Sequence, residues 1–356
     1  MSEPIAAGEM RAWRTHAYGE PLEALKLDVV PIPNPGPGEL RIKVDAIPLN
    51  LNDLERITGG NMMVRPELPY SPGMEVMGTV AACGEGTEQW AGRRVVSIPT
   101  GAYGGFAEYA VCPVASTFEM PESIPLPDAA ALFFPFHLAW LGLIDRAGLQ
   151  EGETVLIHAA AGGSGSAAVQ LAVDRGARVF ATAGTDEKVR LCQGLGAQVA
   201  INYNTSDFAE IVLRETDNHG VDVVFDNVGE AVLEKSLQCT KYNGRYLMMG
   251  FASNKVVADE KFIVPRRIAL GNLKLCGVLL SYQEPDALGF LKTGMGWNFI
   301  PKEMGVRIMD EIVSLVLSKK VQPVIGRIVD FEEIPAAIDA MARRETVGRT
   351  IALIAK

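Results

Sequence analysis

The 356-residue chain is short of the features that mark several whole classes of protein. Its five cysteines, Cys83, Cys112, Cys192, Cys239 and Cys276, are dispersed, and no two stand at C-x-x-C spacing. An odd, scattered set builds neither a disulfide framework nor a Cys-rich zinc site, and it reads as thiols in a reducing cytoplasm. Histidine is scarce as well: His16, His137, His158 and His219 stand far apart, none at ligand spacing from another. There is no Lys/Arg run, and 33 basic residues face 43 acidic ones for a formal net charge of −10. That balance excludes an advertised nucleic-acid surface, while leaving room for a local basic pocket around a phosphate. No apolar run is long enough to span a bilayer. The richest, residues 129–144, is interrupted by Pro135 and His137 and reads as a buried helix. The opening MSEPIAAGEM has no apolar core after a basic start, so it reads as a frayed tail before the first strand rather than a secretory signal, and no membrane partner is expected.

What is present is a core-forming composition, 48% apolar, in a chain long enough for two domains. Up to about residue 130 the chain is β-rich. VPIPNPGPGE, LRIKVDAIPLN, GMEVMGTVAACG, RRVVSIPTG and GGFAEYAVCP are short β-branched runs with Gly/Pro punctuation, the pattern of a barrel or sandwich. A helix is expected to start near Asn52, in NDLERITGG, with Asn52 or Asp53 available near its N-cap. Beyond Asp128 apolar strands alternate with Ala-rich helices: TVLIHA, SAAVQLAVDRG, ARVFATAG, DEKVRLCQGLG, AQVAINY, DFAEIVLRETDNHG, VDVVFDNVG, EAVLEKSLQCT, GRYLMMG, LKLCGVLLS. Repeated β-α order predicts a parallel sheet with helices on both faces, so the fold class is α/β, a doubly wound sheet beside a β-rich domain. A long amphipathic helix, VRIMDEIVSLVLSKK, opens the tail.

The sharpest motif is HAAAGGSGSAAVQLA at 158–172. Ala159, Gly162 and Gly165 stand at A-x-x-G-x-x-G spacing between a strand and a helix, a variant of the dinucleotide turn. Small residues there allow a tight turn, bring backbone N–H groups to a pyrophosphate and pack the helix on its strand. Ala160, Ala161, Gly162, Gly163, Ser164 and Gly165 are therefore cofactor-binding candidates. The end of the next strand selects the nucleotide. It runs Ala181-Thr182-Ala183-Gly184-Thr185 and lacks the carboxylate that would hold ribose hydroxyls and repel a 2′-phosphate. Gly184, Thr185, Lys188 and, at the end of the following strand, Tyr203 favour NADPH. Asp186 is expected to point away as a helix-start residue.

Together the β-rich first part, the AAAGGSGSAAVQLA turn, GTDEKVRLCQGLGAQVAINY, VDVVFDNVG and GRYLMMGFAS resemble the medium-chain dehydrogenase/reductase superfamily over nearly the whole chain. The resemblance implies a GroES-like domain over 1–130, a Rossmann domain over 131–289 and a C-terminal part, 290–356, that completes the first domain, with the active site in the cleft between them. It also implies a homodimer or homotetramer, with LKLCGVLLS as the candidate edge. By the same resemblance Asn227, Gly250, Phe251, Val278 and Leu279 border the nicotinamide, and Arg349 helps to hold the phosphate. Asn50 and Asp53 match an Asn-x-x-Asp pattern of the quinone oxidoreductases and are the catalytic candidates, with helix or turn capping as their plain structural alternative. Glu55-Arg56 stands where members of that group often carry a tyrosine, and Tyr70 is the nearest phenol. Met62, Met63, Phe134 and Trp297 are candidates to line a substrate pocket, and His137 and Trp140 sit on the helix before the cofactor domain.

Zinc members of that superfamily use a Gly-His-Glu motif; here it reads Gly73-Met74-Glu75, and no cysteine stands in LNLND. No metal is therefore expected. Without a Lewis acid the fitting acceptors are conjugated ones: quinones, enones, enals or enoyl thioesters. Hydride would pass from NADPH, and the chain would contribute positioning and stabilisation of the developing oxyanion. An enoyl-thioester or 2-alkenal reductase, and an NADPH-binding sensor without turnover, stay open as alternatives.

Overall fold

The structure is a computed structural model that describes residues 7–60, 65–249 and 265–354. The chain divides into two compact units: residues 1–133, 281–309 and 325–356, and residues 134–280 with 310–324.

The first unit holds the antiparallel hairpin of β1 (Glu9–Thr15) and β2 (Leu25–Pro31), and a seven-stranded sheet. Its strands are β3 (Glu39–Pro48), β4 (Val76–Cys83), β5 (Arg94–Ser97), β6 (Tyr109–Pro113), β7 (Thr117–Glu119), β16 (Ile325–Asp330) and β17 (Arg349–Leu353). They run in the order β16-β17-β3-β4-β5-β7, with β6 also on β3. β3 is the organiser. In ELRIKVDAIP alternate side chains enter the core, so Leu40, Ile42 and Val44 pack with Val76, Val95 and Phe106. The C-terminal β17 pairs antiparallel with the end of β3, Ile351 opposite Pro48 and Leu353 opposite Ala46. The last strand of the chain thus completes the first sheet.

The second unit is a parallel sheet of β8 (Thr154–Ile157), β9 (Arg178–Ala183), β10 (Val199–Asn202), β11 (Val221–Asp226), β12 (Thr240–Met248) and β13 (Lys274–Gly277), in the order β10-β9-β8-β11-β12-β13. Parallel neighbours need crossovers, supplied by helices Gly163–Asp174, Asp186–Gly194, Phe208–Glu215 and Glu230–Gln238. Every residue of VDVVFD in β11 is buried, as a strand covered on both faces requires. From β8 the order runs outward in both directions, so the switch point lies between β8 and β11, where such sheets bind ligands at the strands' carboxyl ends. Residues 310–324 join this unit, a departure from the expected boundary at 290. Gln170, on the first crossover helix, fastens that segment: its side-chain amide donates to the Gln322 carbonyl and its oxygen accepts from the Gln322 N–H, both at 2.9 Å. Two polar groups separated by 152 positions leave no local trace in the sequence.

β14 (Tyr282–Gln283) and β15 (Ile300–Pro301) form a small parallel pair in the first unit. Among the described residues no helix is long and apolar enough to cross a membrane.

Candidate functional site

In the second unit the turn 158–165 leaves β8 and opens the helix Gly163–Asp174 with Gly162 as its N-cap. Ala159 turns the chain at φ 50°. Gly165 permits the close approach of helix to turn: a Cβ there would lie 2.2 Å from the Ala159 carbonyl oxygen and 2.7 Å from the Ala160 Cα. That is the tight packing that the A-x-x-G-x-x-G spacing predicts. The N–H groups of the first helical turn have no intrahelical acceptors, and the helix dipole favours an anion beside them. Ala160 and Ala161 are buried behind this end of the helix, with the Ala160 N–H bonded to the Thr182 carbonyl at 3.0 Å.

The tip of β9 brings Gly184, Thr185, Lys188 and Tyr203, the residues expected to select the nucleotide, together. Tyr203 follows β10 and sets its hydroxyl over Gly184, where a Cβ would stand 2.6 Å from that oxygen. Thr185 caps the helix Asp186–Gly194 by accepting the Lys188 N–H at 3.2 Å. Lys188 thus lies on the first turn of that helix beside Thr185. Asp186 is held aside, its Oδ1 accepting from the Asn202 amide at 2.7 Å. No carboxylate stands on the β9 tip itself.

At the neighbouring strand ends, Asn227 lies on the loop after β11. That loop is shaped by Asp226, whose Oδ1 accepts from the Val228 N–H at 2.7 Å and the Gly229 N–H at 3.0 Å, while the Tyr246 hydroxyl donates to Oδ2. Val278 and Leu279 follow β13, and the Val278 N–H reaches the Met248 carbonyl at 3.2 Å. Gly250 and Phe251, expected to border the nicotinamide, and Met62 and Met63, expected to line a substrate pocket, lie outside the described residues. Phe134 lies on the helix Phe133–Trp140 of the second unit, whereas Trp297 belongs to the first unit and stacks obliquely near Phe299. His137 and His158 are both fully buried, and burial pushes each imidazole down to about 3, so each is neutral at physiological pH.

The first unit gathers the catalytic candidates into a buried polar cluster and gives them other work. The helix forms over Leu51–Thr58, and its N-cap is Asn50 rather than Asn52 or Asp53. Asp53, three residues on, reaches back: its Oδ2 accepts the Asn50 N–H at 2.9 Å, and its Oδ1 accepts the Met74 N–H at 2.9 Å. Its side chain is wholly buried. Burial pushes the carboxyl up to about 6, opposed by the Arg56 charge and by those two N–H donors. Asn50 donates to the Pro48 carbonyl at 3.1 Å and to Glu75 at 3.2 Å, and its Oδ1 accepts from Arg349 at 2.7 Å. Asn50 and Asp53 therefore place the loop Pro48–Asn50 and the Gly73–Glu75 segment. The expectation that Asp53 meets substrate is corrected, because the carboxylate faces backbone and has no exposed surface.

Arg349 is corrected too. It is 6% exposed, its guanidinium is ion-paired with Glu75, and it donates to Asn50, so it neutralises a buried carboxylate instead of holding a phosphate. Sequence reasoning overlooked Glu75 as its partner. The signal was present in GMEVMGTV, where a lone acid in an apolar strand start demands a buried cation. Tyr70 is buried, and its hydroxyl donates to the Arg56 carbonyl at 2.9 Å.

A β-rich unit completed by the C-terminus, joined to a doubly wound sheet with a Gly-rich turn at its switch point, defines the architecture of a medium-chain dehydrogenase/reductase. Comparison with known proteins agrees. Residues 36–122 match the alcohol dehydrogenase GroES-like domain, and residues 163–293 match the family described as zinc-binding dehydrogenase. The chain is 31% identical over 327 residues to the quinone oxidoreductase-like protein 2 homolog of Nematostella vectensis, covering 89% of this chain and 88% of that one. It is 34% identical over 250 residues to the quinone oxidoreductase of Sus scrofa, covering 69% and 75%. Among solved structures, a mycobacterial protein complexed with NADPH superposes with a TM-score of 0.83 at 29% identity, over 97% of this chain and all of the other. The human synaptic vesicle membrane protein VAT-1 homolog-like protein gives 0.80 at 27% identity, over 98% and 99%. The chain belongs to the medium-chain dehydrogenase/reductase superfamily, as a quinone oxidoreductase-like member. It is accordingly an oxidoreductase built around a nicotinamide cofactor.

The zinc in the matched family's description does not fit the residues present. Met74 occupies the histidine position of the Gly-His-Glu motif, and Glu75 carries an arginine and an asparagine on its carboxylate. Among the described residues no three His, Cys, Asp or Glu side chains gather as a metal site. The turn, in contrast, fits a dinucleotide: Gly165 leaves room for the helix to close on the turn, where a Cβ would meet the Ala159 carbonyl oxygen at 2.2 Å.

Proposed function

We propose that the protein is an NADPH-dependent, zinc-independent reductase that transfers hydride to a quinone or other conjugated carbonyl acceptor. The observation that carries this reading is the β9 tip: the Tyr203 hydroxyl over Gly184, the Thr185-capped helix end with Lys188 on its first turn, and Asp186 turned to Asn202. Hydroxyls, an ammonium group and helix N–H groups suit a 2′-phosphate, and a carboxylate would repel it. The relatives named quinone oxidoreductases and the NADPH-complexed neighbour support the same reading.

NADPH supplies the hydride from nicotinamide C4. The chain would bind and orient it: the 162–165 turn would hold the pyrophosphate, Thr185, Lys188 and Tyr203 would hold the 2′-phosphate, and the loop of Asn227 and the segment Val278–Leu279 would border the nicotinamide end. Glu75 is committed to Arg349, so the first unit offers no Lewis acid through that motif. Acceptors whose negative charge spreads by conjugation need the least such help.

The test is NADPH oxidation by chelator-treated protein with an ortho-quinone, a para-quinone, a 2-alkenal and a short enoyl-CoA, with NADH as control. Turnover of one acceptor class, with NADPH favoured and no loss on chelation, is the expected result. Preference for NADH, or dependence on added zinc, would overturn it. Tight NADPH binding without turnover would identify a sensor.

We further propose a homodimer or homotetramer joined along β13, which among the described residues pairs only with β12 and leaves its other edge open to a second copy. Light scattering on the eluting protein is expected to give a multiple of the chain mass; a monomer at micromolar concentration sinks the proposal.

A further inference from the structure

His158 begins the phosphate turn, yet its imidazole points away from it, into the sheet's helical layer. Nδ1 lies 2.9 Å from the Thr182 Oγ1, and Nε2 lies 2.8 Å from the Ser236 Oγ. The proton positions follow from the neighbours. Ser236 spends its hydroxyl hydrogen on the Val232 carbonyl at 2.7 Å, so it accepts from His158 Nε2–H. Nδ1 then carries no hydrogen and accepts from the Thr182 hydroxyl. The ring packs edge-on against Phe208 at 4.9 Å, and all three polar side chains are buried. Both backbone neighbours of this turn are tied as well, the His158 N–H to the Phe225 carbonyl and the Ala160 N–H to the Thr182 carbonyl, each at 3.0 Å.

The connections are uneven in a telling way. Thr182 stands two residues before Gly184 and three before Thr185, on the strand tip that selects the nucleotide. Phe225 stands two residues before Asn227. Ser236 belongs to the helix Glu230–Gln238. One imidazole therefore ties together the 158–165 turn, the tip of β9 and the helix that follows β11. With the turn holding a pyrophosphate and the tip a 2′-phosphate, as proposed above, their separation would have to match that of the ligand's two phosphates.

We propose that Thr182, His158 and Ser236 form a positioning relay that sets the phosphate turn against the nucleotide-selecting tip of β9, so that dinucleotide affinity depends on buried side chains. The proposal rests on the NADPH reading above. Burial keeps the imidazole neutral, as this hydrogen-bond order requires.

The experiment measures NADPH dissociation constants by nicotinamide fluorescence, with melting temperature alongside, for the wild type, T182V, S236A, the double variant, T182S and the control V212A. Val212 is a buried apolar residue of the same unit's core with no polar group to lend the relay, so V212A reports loss of packing. T182V and S236A are each expected to raise Kd about tenfold, the scale of one buried hydrogen bond. The double variant is expected to match the worse single variant, because both act through one imidazole. T182S restores the wild-type constant, and V212A lowers the melting temperature while leaving Kd in place. If T182V does not fold, T182C, of similar size and with a weak donor, replaces it. Unchanged Kd in T182V and S236A, or an equal rise in V212A, overturns the relay alone. No NADPH binding by the wild type overturns both the relay and the reading on which it rests.

Discussion

Single side chains, and in one case the lack of one, carry most of the chemistry argued above. At Gly165 a methyl group would meet the Ala159 carbonyl oxygen at 2.2 Å, and both partners there are backbone. Gly165→Ala must push the helix Gly163–Asp174 off its turn. Overpacking costs about 1–3 kcal/mol, so NADPH affinity is expected to fall by about tenfold or more in a fluorescence titration. Arg349 is the opposite case, a side chain whose removal leaves a charge behind. Arg349→Ala strands the wholly buried Glu75, and breaking such a pair costs about 3–5 kcal/mol in denaturant unfolding. Arg349→Met combined with Glu75→Leu removes both charges and is expected to recover most of that loss. If the double variant is no better than R349A, the pair is not what holds the segment. Asp53 and Asn50 belong to the same cluster. The N-x-x-D spacing was legible, but spacing alone does not distinguish a carboxylate aimed at substrate from one aimed at backbone N–H groups. The two donors at 2.9 Å, from Asn50 and Met74, decide it.

Elements position these groups through their ends. The helix Asp186–Gly194 begins at the nucleotide-selecting tip because Thr185 accepts the Lys188 N–H. Losing such a cap costs about 1 kcal/mol. Thr185→Ala is expected to lower stability by that amount and to raise KM for NADPH more than for NADH, since the frayed turn carries Lys188. An equal rise for both cofactors would separate the cap from nucleotide choice. The β-α alternation of the second unit was readable because each buried strand is a short, nearly continuous apolar run and each helix is longer and amphipathic or Ala-rich. Helix starts were less readable. The cap of Leu51–Thr58 fell on Asn50, two residues earlier than expected, because Asp53 reaches back to the Asn50 N–H. Several residues in LNLND qualify as caps by type, and only the fold selects among them.

The whole molecule responds to acid through its buried titratable groups. His137 and His158 are fully buried and held down to about 3, against an ordinary imidazole near 6.5. Between these values the unfolded chain binds a proton on each histidine that the fold refuses. Their contribution is complete above pH 6.5 and is lost as pH falls, approaching about 1.4 kcal/mol per pH unit for each. Asp53 works in the other direction: its carboxyl is raised from 3.8 to about 6, so the stability it contributes is present below its ordinary value and lost as pH rises through 6. Two falling terms against one rising term leave a net loss on acidification from pH 6 to pH 5. Urea unfolding at those two pH values checks it. His158→Gln is expected to flatten the slope and Asp53→Asn to steepen it; a slope unchanged in both variants would mean that neither group titrates with folding.

Local pattern by itself determined the two-part organisation, the parallel sheet, the dinucleotide turn and the carboxylate-free tip of β9. Each of these rests on neighbours within about 30 residues, the reach of one β-α-β unit. Tertiary structure alone decided what Arg349 does, because its partners Asn50 and Glu75 lie 299 and 274 positions away. It alone decided that residues 310–324 belong with the second sheet, through Gln170 and Gln322, and that His158 spans Thr182 and Ser236. A buried polar group must find a partner somewhere, and the sequence announces that need. Which partner satisfies it depends on the path of the chain, since hydrogen bonds act over 3 Å of space regardless of distance in sequence.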